Sequence, residues 1–413
     1  MQGGEGDLER RPKKGGVIIV KQGILDGIRV IDFTKAIAGP LCGSYLADMG
    51  AEVIKVEGPK GDPSRGGKPG VGAFAAYFTN VNRGKRSIAL DLKSPEGKAI
   101  FTELVKTADV LLENNRPGVM DRLGFGVEAC KKLNPNMIYA SVSGFGQTGP
   151  YALRPAYDLA AQAMGGTMHI TGTADTIPLN HGAPTADVMT ALNSTIAILA
   201  SLFAREKTGV AQRVETSLVE SVVGSLLAQT PLYLLDGQIP MRDGSKFLDA
   251  CPYEAYKASD GYFVFAGMGT WSLFCEEIIK RPDLVEDERF VKGSERIKHR
   301  AELREIIEGW AADKTVAEIV DAYAAKFPCA PVNNFEQVCN DPHIRDAREM
   351  FIDVPLADGN TMTITNNPIK MSDFRCRPIA GPNFAGGDND AIFGELGFDE
   401  DTLKDYRERG IIL

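Results

Sequence analysis

The sequence has no Cys-x-x-Cys pair, no His-Glu-x-x-His and no Gly-x-Ser-x-Gly. It also lacks any unbroken apolar run near the roughly 20 residues that a membrane helix requires. Those gaps argue against a structural zinc site, a zinc hydrolase, a serine hydrolase and a membrane-spanning chain. Histidine is scarce: the four residues His169, His181, His299 and His343 are scattered, with no metal-ligand spacing and no triad-like order. Seven cysteines (Cys42, Cys130, Cys251, Cys275, Cys329, Cys339, Cys376) lie far apart, as expected of a reducing, cytoplasmic setting. The first residues, MQGGEGDLERRPKKGG, are charged and glycine-rich without a secretory apolar core, so residues 1–16 are expected to form a disordered tail. With 46 basic against 55 acidic residues the net charge is −9, which offers no global field for nucleic acid or an anionic membrane.

What is present is a chain of 413 residues with an ordinary globular balance, 44% apolar and 24% charged. That length suggests two or three structural units with ample material for a core. Glycine is in surplus, at 44 residues against the usual ~7%. Glycines gather where backbone would approach a ligand or turn tightly: Gly39 and Gly43, Gly144, Gly146 and Gly149, Gly165 and Gly166, Gly182, and Gly267 and Gly269.

Short β-branched runs recur from residue 28: IRVIDF (28–33), AEVIKVE (51–57), SIALDL (87–92), DVLLEN (109–114) and MIYASVS (137–143). Helical patterns lie between several of them, at 41–49 and at 95–108, the latter with Ser94 to cap it and Pro95 in its first turn. Strands alternating with helices predict an α/β fold, a Rossmann-like parallel sheet covered on both faces. A long apolar-periodic helix is predicted over 187–206, then a strand at QRVETSL and one further helix over 219–235. The domain reading is a large unit over 17–222, a linker helix over 223–245, and a smaller α+β domain over 246–326 with a hairpin at KASDGYFVFAG. The segment 327–413 then returns to the large unit and ends in a helix near Asp399.

Three motifs carry chemistry. Gly144-Phe-Gly146-Gln-Thr-Gly149 fits a dinucleotide fingerprint in form, but Pro150 follows at once and Asp158 comes too early to hold a ribose. A glycine turn that brings backbone N–H groups to a substrate is the better use of Gly144 and Gly146. A basic set, Arg83, Lys85, Arg86 and Lys93 around SIALDL with Arg116 and Arg122 after DVLLEN, could grip phosphates at strand ends or simply form a solvated face. Asp187 stands where the long helix begins, where free N–H groups and the helix dipole would keep it ionised as a nucleophile; an ordinary N-cap is the plainer alternative. Asp158, after Tyr157, is a second acidic candidate for the substrate site and reads more simply as a hydrogen-bonding partner.

Five runs together carry a family likeness: GIRVIDFTKAIAGPLCGSYLADMGAEVIKVE (27–57), NRGKRSIALDLKSPEGK (82–98), ADVLLENNRPGVMDRLG (108–124), NPNMIYASVSGFGQTGP (134–150) and AYDLAAQAMGG (156–166). They resemble the class III CoA-transferases, the formyl-CoA transferase and carnitine CoA-transferase family of CaiB/BaiF type. The resemblance runs from about residue 24 to the closing GELGFDEDTLKDYRERGII.

It implies a CoA-transferase with Asp187 as the nucleophile in GAPTADVMTAL, forming an aspartyl anhydride and then an aspartyl-CoA thioester. It also implies CoA-binding roles for Leu90, Lys93, Asn114, Val119, Arg122 and Leu123, with Lys93 and Arg122 on phosphates. The partners would be an acyl-CoA and a small carboxylic acid, and the assembly an interlocked homodimer. CoA esters would be substrates, with no bound cofactor and no metal. Ile37 stands where formyl-CoA transferases resemble one another in a glutamine, which puts formyl-CoA and oxalate in question. Tyr157 stands where the related α-methylacyl-CoA racemases carry a histidine, leaving two-base proton transfer short of a base. Ile37, Tyr157 and Met168 would give a compact acid pocket. A racemase, an NAD-dependent oxidoreductase and a non-catalytic acyl-CoA binder are the rival readings.

Overall fold

The computed structural model describes residues 23–267 and 271–413. The tail expected over 1–16 and Gly269 lie outside these residues. The chain divides into two compact units. The first comprises residues up to Pro155 with Asp187–Ser217 and Phe351–Leu413; the second comprises Ala156–Ala186 and Leu218–Met350. The expected small domain over 246–326 lies inside the second unit, which is wider at both ends. The composition change near Pro240 marks a loop within that unit, and the return to the first unit comes at Phe351, later than 327.

Six parallel strands build the first unit: β1 (Arg29–Phe33), β2 (Glu52–Glu57), β3 (Arg86–Ala89), β4 (Val110–Glu113), β5 (Ile138–Ser143) and β6 (Arg213–Ser217). Their order across the sheet is β3-β2-β1-β4-β5-β6, that of a doubly wound fold. Every residue of β4 and β5 is buried, which is why these strands read as continuous apolar runs without alternation. The helices that matter below are α1 (Ala38–Asp48), α2 (Ala76–Asn82), α3 (Pro95–Thr107), α4 (Val119–Leu123), α5 (Asp158–Met164) and α6 (Thr185–Thr208), followed by α7 (Leu218–Gly224) and α8 (Gln229–Asp236).

Helix α3 starts as its sequence predicts, since the Ser94 side chain accepts the Gly97 amide with Pro95 in the first turn. Its apolar face, Ile100, Phe101 and Leu104, packs on Ile31, Ile54, Ile88 and Leu111 of the sheet. Ile392, Phe393, Leu403 and Ile412 of the C-terminal segment complete the same core, which accounts for the chain's return to this unit.

The single helix expected over 219–235 is two, α7 and α8, bent by 78° after Gly224. Glycine costs a helix about 1 kcal/mol relative to alanine, so the pair breaks where continuation is weakest. In the second unit the expected hairpin pairs Tyr253–Lys257 with Tyr262–Ala266, and Cys329–Pro331 adds a third antiparallel strand. Tyr256, Phe263, Phe265, Phe274 and Phe290 form its core.

Candidate active site

Chain order reverses between β1 and β4, and open α/β sheets bind ligands outside the carboxyl ends of their strands at such a point. Asn114, the residue after β4, closes on the turn after β1: its Oδ1 accepts the Lys35 N–H at 2.9 Å and its Nδ2 donates to the Lys35 carbonyl at 2.7 Å. One side-chain amide thus satisfies both backbone groups of Lys35 and ties the two strand ends. Ile37, half-buried, ends that turn at the start of α1.

The other first-unit candidates follow the carboxyl ends of neighbouring strands. Lys93 is exposed beyond β3, and Val119 and Arg122 lie on α4 beyond β4, with Arg122 exposed and Leu123 against the core. Gly144 and Gly146 follow β5; Gly146 has φ +88°, a conformation that favours glycine, and its N–H donates to Ser143 Oγ at 3.0 Å. Leu90 differs, because its side chain is 1% exposed inside the core and its backbone bridges Ile412. Tyr157, Asp158 and Met168 belong to the second unit, and Tyr157 is exposed.

The position of Asp187 follows from the direction of α6. Near the C-terminal end of that helix, Arg205 donates to the Asn136 carbonyl at 3.0 Å and to Asp109 Oδ1 at 2.8 Å, just ahead of β5 and β4. Nearer its start, Thr190 Oγ1 lies 3.5 Å from the Ser217 carbonyl and Ser194 Oγ lies 2.6 Å from Thr216 Oγ1, at the far end of β6. The helix therefore runs opposite to the strands, and Asp187, in its first turn, stands at the carboxyl edge of the sheet. It is the third helical residue, inside the helix rather than its N-cap, and is only 8% exposed. A carboxylate there faces the positive end of the helix dipole.

Pro184 has no side-chain acceptor to cap this helix, and an acid from elsewhere does that work. Asp158 Oδ1 accepts the Ala186 N–H at 2.8 Å, while its Oδ2 accepts from Gln162 Nε2. Gln162 Oε1 in turn accepts the His181 N–H at 3.0 Å, and His181 Nδ1 lies 2.9 Å from Thr185 Oγ1. The hydrogen-bonding role read for Asp158 from sequence is the one it has.

Tyr77, on α2, is a residue that sequence reasoning passed over. Burial pushes its phenol up, and the Asp187 and Asp62 carboxylates push the same way, which places it within electrostatic reach of Asp187. No motif marks it in AAYFTN.

The basic set divides in two. Lys85 Nζ lies 2.6 Å from Asp32 Oδ2 with both side chains buried, and Arg83 Nη2 lies 2.7 Å from Asp48 Oδ2, equally buried. Neither belongs to a solvated face or to a phosphate grip, as the sequence had left open. Burial pulls the Lys85 ammonium down to about 8, against the opposing pull of Asp32. Arg86 pairs with Glu52 at 2.5 Å and Glu395 at 3.2 Å. Among the described residues Lys93, Arg116 and Arg122 form no ion pair and remain available to an anion.

Two of the glycines also change meaning. A Cβ on Gly39 would meet Thr34 Cβ at 2.6 Å, and one on Gly43 would meet Asp32 Oδ2 at 2.6 Å. Both are packing positions of α1 rather than ligand-lining ones. Beside them, burial pushes the Cys42 thiol up to about 12 and leaves it neutral, hydrogen-bonded to Thr195 of α6. All seven cysteines are unpaired.

A doubly wound sheet with a buried carboxylate in the first turn of a crossover helix, and cations past its strand ends that form no ion pair among the described residues, defines an α/β protein of the open-sheet class. Residues 25–389 match CoA-transferase family III, and the chain belongs to that family. It is 41% identical over 364 residues to the succinyl-CoA:mesaconate CoA-transferase of Haloarcula hispanica, covering 85% of this chain and 91% of that one. It is 37% identical to the succinate–glutarate CoA-transferase of Agrobacterium fabrum, covering 84% and 89%. The crystal structure of a CaiB/BaiF family protein from Brucella suis superposes with a TM-score of 0.81 at 36% identity, covering 91% of this chain and all of that one.

Proposed function

We propose that the protein moves CoA from an acyl-CoA to a free small carboxylic acid, with Asp187 as the covalent nucleophile. The observation that carries this reading is the placement of Asp187: a buried carboxylate in the first turn of α6 at the carboxyl edge of the sheet. An Asp187 oxygen attacks the thioester carbonyl, the C–S bond breaks, and CoA thiolate leaves a mixed anhydride on the enzyme. The thiolate then attacks the Asp187 carbonyl carbon, expelling the donor's acid and forming an aspartyl-CoA thioester. The acceptor carboxylate repeats the two steps in reverse: it displaces the thiolate to make a second anhydride, and the thiolate takes its acyl group and frees Asp187. Splitting one exchange into short acyl transfers is the gain of covalent catalysis.

Each attack builds an oxyanion, for which backbone N–H groups of the glycine-rich loop after β5, other than that of Gly146, are the donors we assign. Lys93 and Arg122 would hold CoA phosphates, and Asn114 would keep the β1 turn in place beside them. The two named relatives both act with succinyl or succinate groups, which supports dicarboxylate substrates here. We further propose a cytoplasmic homodimer, with the chains interlocked as the resemblance implies.

Asp187→Asn tests the mechanism. Incubation with succinyl-CoA and then hydroxylamine should modify Asp187 in the wild type, as read by peptide mass spectrometry, and transfer should fall at least ~10³-fold in the variant. Modification at another residue, or a variant with wild-type turnover, would sink the proposal.

A further inference from the structure

The second unit holds a cavity of about 250 Å³ that nothing in the transferase reading uses. Arg300 lines it and is 8% exposed. Its Nη2 donates to the carbonyls of Phe247 at 2.8 Å and Ala250 at 2.9 Å, while its Nη1 is buried with no hydrogen-bond partner among the described residues. Guanidinium stays charged at any physiological pH, and buried charges are ordinarily paired. No ion pair with Arg300 forms among the described residues: Glu254 bonds Arg304 through Oε2, its own Oε1 being left without a hydrogen-bond partner, and Asp243, on the same cavity wall, pairs with Lys246. The rest of the wall is mixed, with Ile170, Met241, Leu248 and Ile297 apolar and Lys246 at the same cavity.

We propose that this cavity is a binding site for a small organic carboxylate, separate from the Asp187 site. A carboxylate would give Nη1 the charge-assisted partner it lacks, and a short hydrocarbon body would lie on the apolar wall. The apolar wall is what favours an organic acid over inorganic phosphate, which presents oxygen on every side. Residues of this cavity belong to the second unit alone, so the inference stands or falls independently of the chemistry at Asp187.

Isothermal titration of butyrate, and separately of inorganic phosphate, into the full-length protein tests it, with Arg300→Lys and Met241→Trp alongside. Arg300→Lys keeps the charge and loses the planar fork. Met241 is 59% exposed, so a tryptophan there obstructs the cavity with little cost to the fold. The expected result is a butyrate-binding component that weakens at least tenfold in Arg300→Lys and disappears in Met241→Trp, while the transfer rate of Met241→Trp stays within twofold of wild type. Butyrate binding that is equal in wild type and Met241→Trp overturns the proposal. So does phosphate binding in place of butyrate, or no butyrate binding, which would leave an ordered water as the partner of Nη1. Should Arg300→Lys fail to fold, Met241→Trp decides alone.

Discussion

Asp158 and Ala186 are joined by a 2.8 Å hydrogen bond in which a carboxylate from one helix accepts the second amide of another. Ala186 immediately precedes Asp187, so this contact sets the direction in which the first turn of α6 leaves its loop. It also satisfies one of the four amides that every helix start leaves open.

On the proposal that Asp187 is the nucleophile, Asp158 is a positioning residue. Asp158→Ala should cost about 1 kcal/mol, the usual price of a lost cap. It should lower kcat at least tenfold with KM for the acyl-CoA changed less than threefold, since a nucleophile displaced by ~1 Å can cost up to ~10²-fold. Asp158→Asn should recover part of the rate, because its Oδ1 can still accept from Ala186 while its amide opposes that of Gln162. An alanine variant with wild-type kcat would show that the tether does not position Asp187.

Gly43 offers a test of sign. Alanine is the better helix former by about 1 kcal/mol, so propensity alone favours Gly43→Ala within α1. The added methyl would instead stand 2.6 Å from Asp32 Oδ2 and 3.2 Å from Lys85 Nζ, and neither partner of a buried ion pair can move far. Overpacking of this kind costs roughly 1–3 kcal/mol. The expected outcome is a net loss of about 1 kcal/mol by denaturant unfolding; a stabilised variant would mean that the pair relaxes freely.

Acid should weaken the first unit through Glu57. Burial alone would raise this carboxyl, but the Arg65 guanidinium, the Ser87 hydroxyl and the Lys55 charge outweigh it and hold it below the ordinary range. Asp62 is held down in the same way, by Lys55 and Ser64 against its burial. A carboxyl whose folded pKa is depressed adds stability above its unfolded value, about 4.3 for Glu, and that stability is lost as pH falls through the folded value. Asp48 and Glu113 act with the opposite sign, because burial raises both. Glu57→Gln, which breaks a largely buried pair, should lower stability by about 3 kcal/mol at pH 7 and by less at pH 3. Equal losses at the two pH values would mean that the charge of Glu57 is not what matters.

The strands and the helix from Pro95 were legible because their signals are local: apolar runs of strand length, a serine cap, a first-turn proline. The site was legible in part, since Asp187 and the loops after β3, β4 and β5 follow from motif order. What could not be read was anything decided by a distant partner. Lys85 and Lys93 are eight positions apart and alike in sequence, yet Lys85 is buried on Asp32, 53 positions away, while Lys93 is exposed. Gly43 reads as a ligand glycine until the side chain opposite it is known. Tyr77 reaches the field of Asp187 across 110 residues of chain, and no local pattern announces that.

The outer face of α6 poses the last question. Leu192, Ile196 and Phe203 form an exposed stripe on a helix whose length and apolar composition would suit a membrane span. In the second unit Leu227, Leu234 and Leu235 are still more exposed. On the proposed homodimer, the stripe on α6 is a contact surface. A second copy of the chain is the occupant that the proposed homodimer supplies, and burying Ile196 and Phe203 would contribute about 1–3 kcal/mol each. Light scattering should therefore give twice the chain mass of 44.6 kDa, and Ile196→Glu should shift the population toward single chains at micromolar concentration. A wild-type protein that is monomeric in solution, or one that sediments with phosphatidylcholine vesicles, would assign the stripe to something other than its own copy.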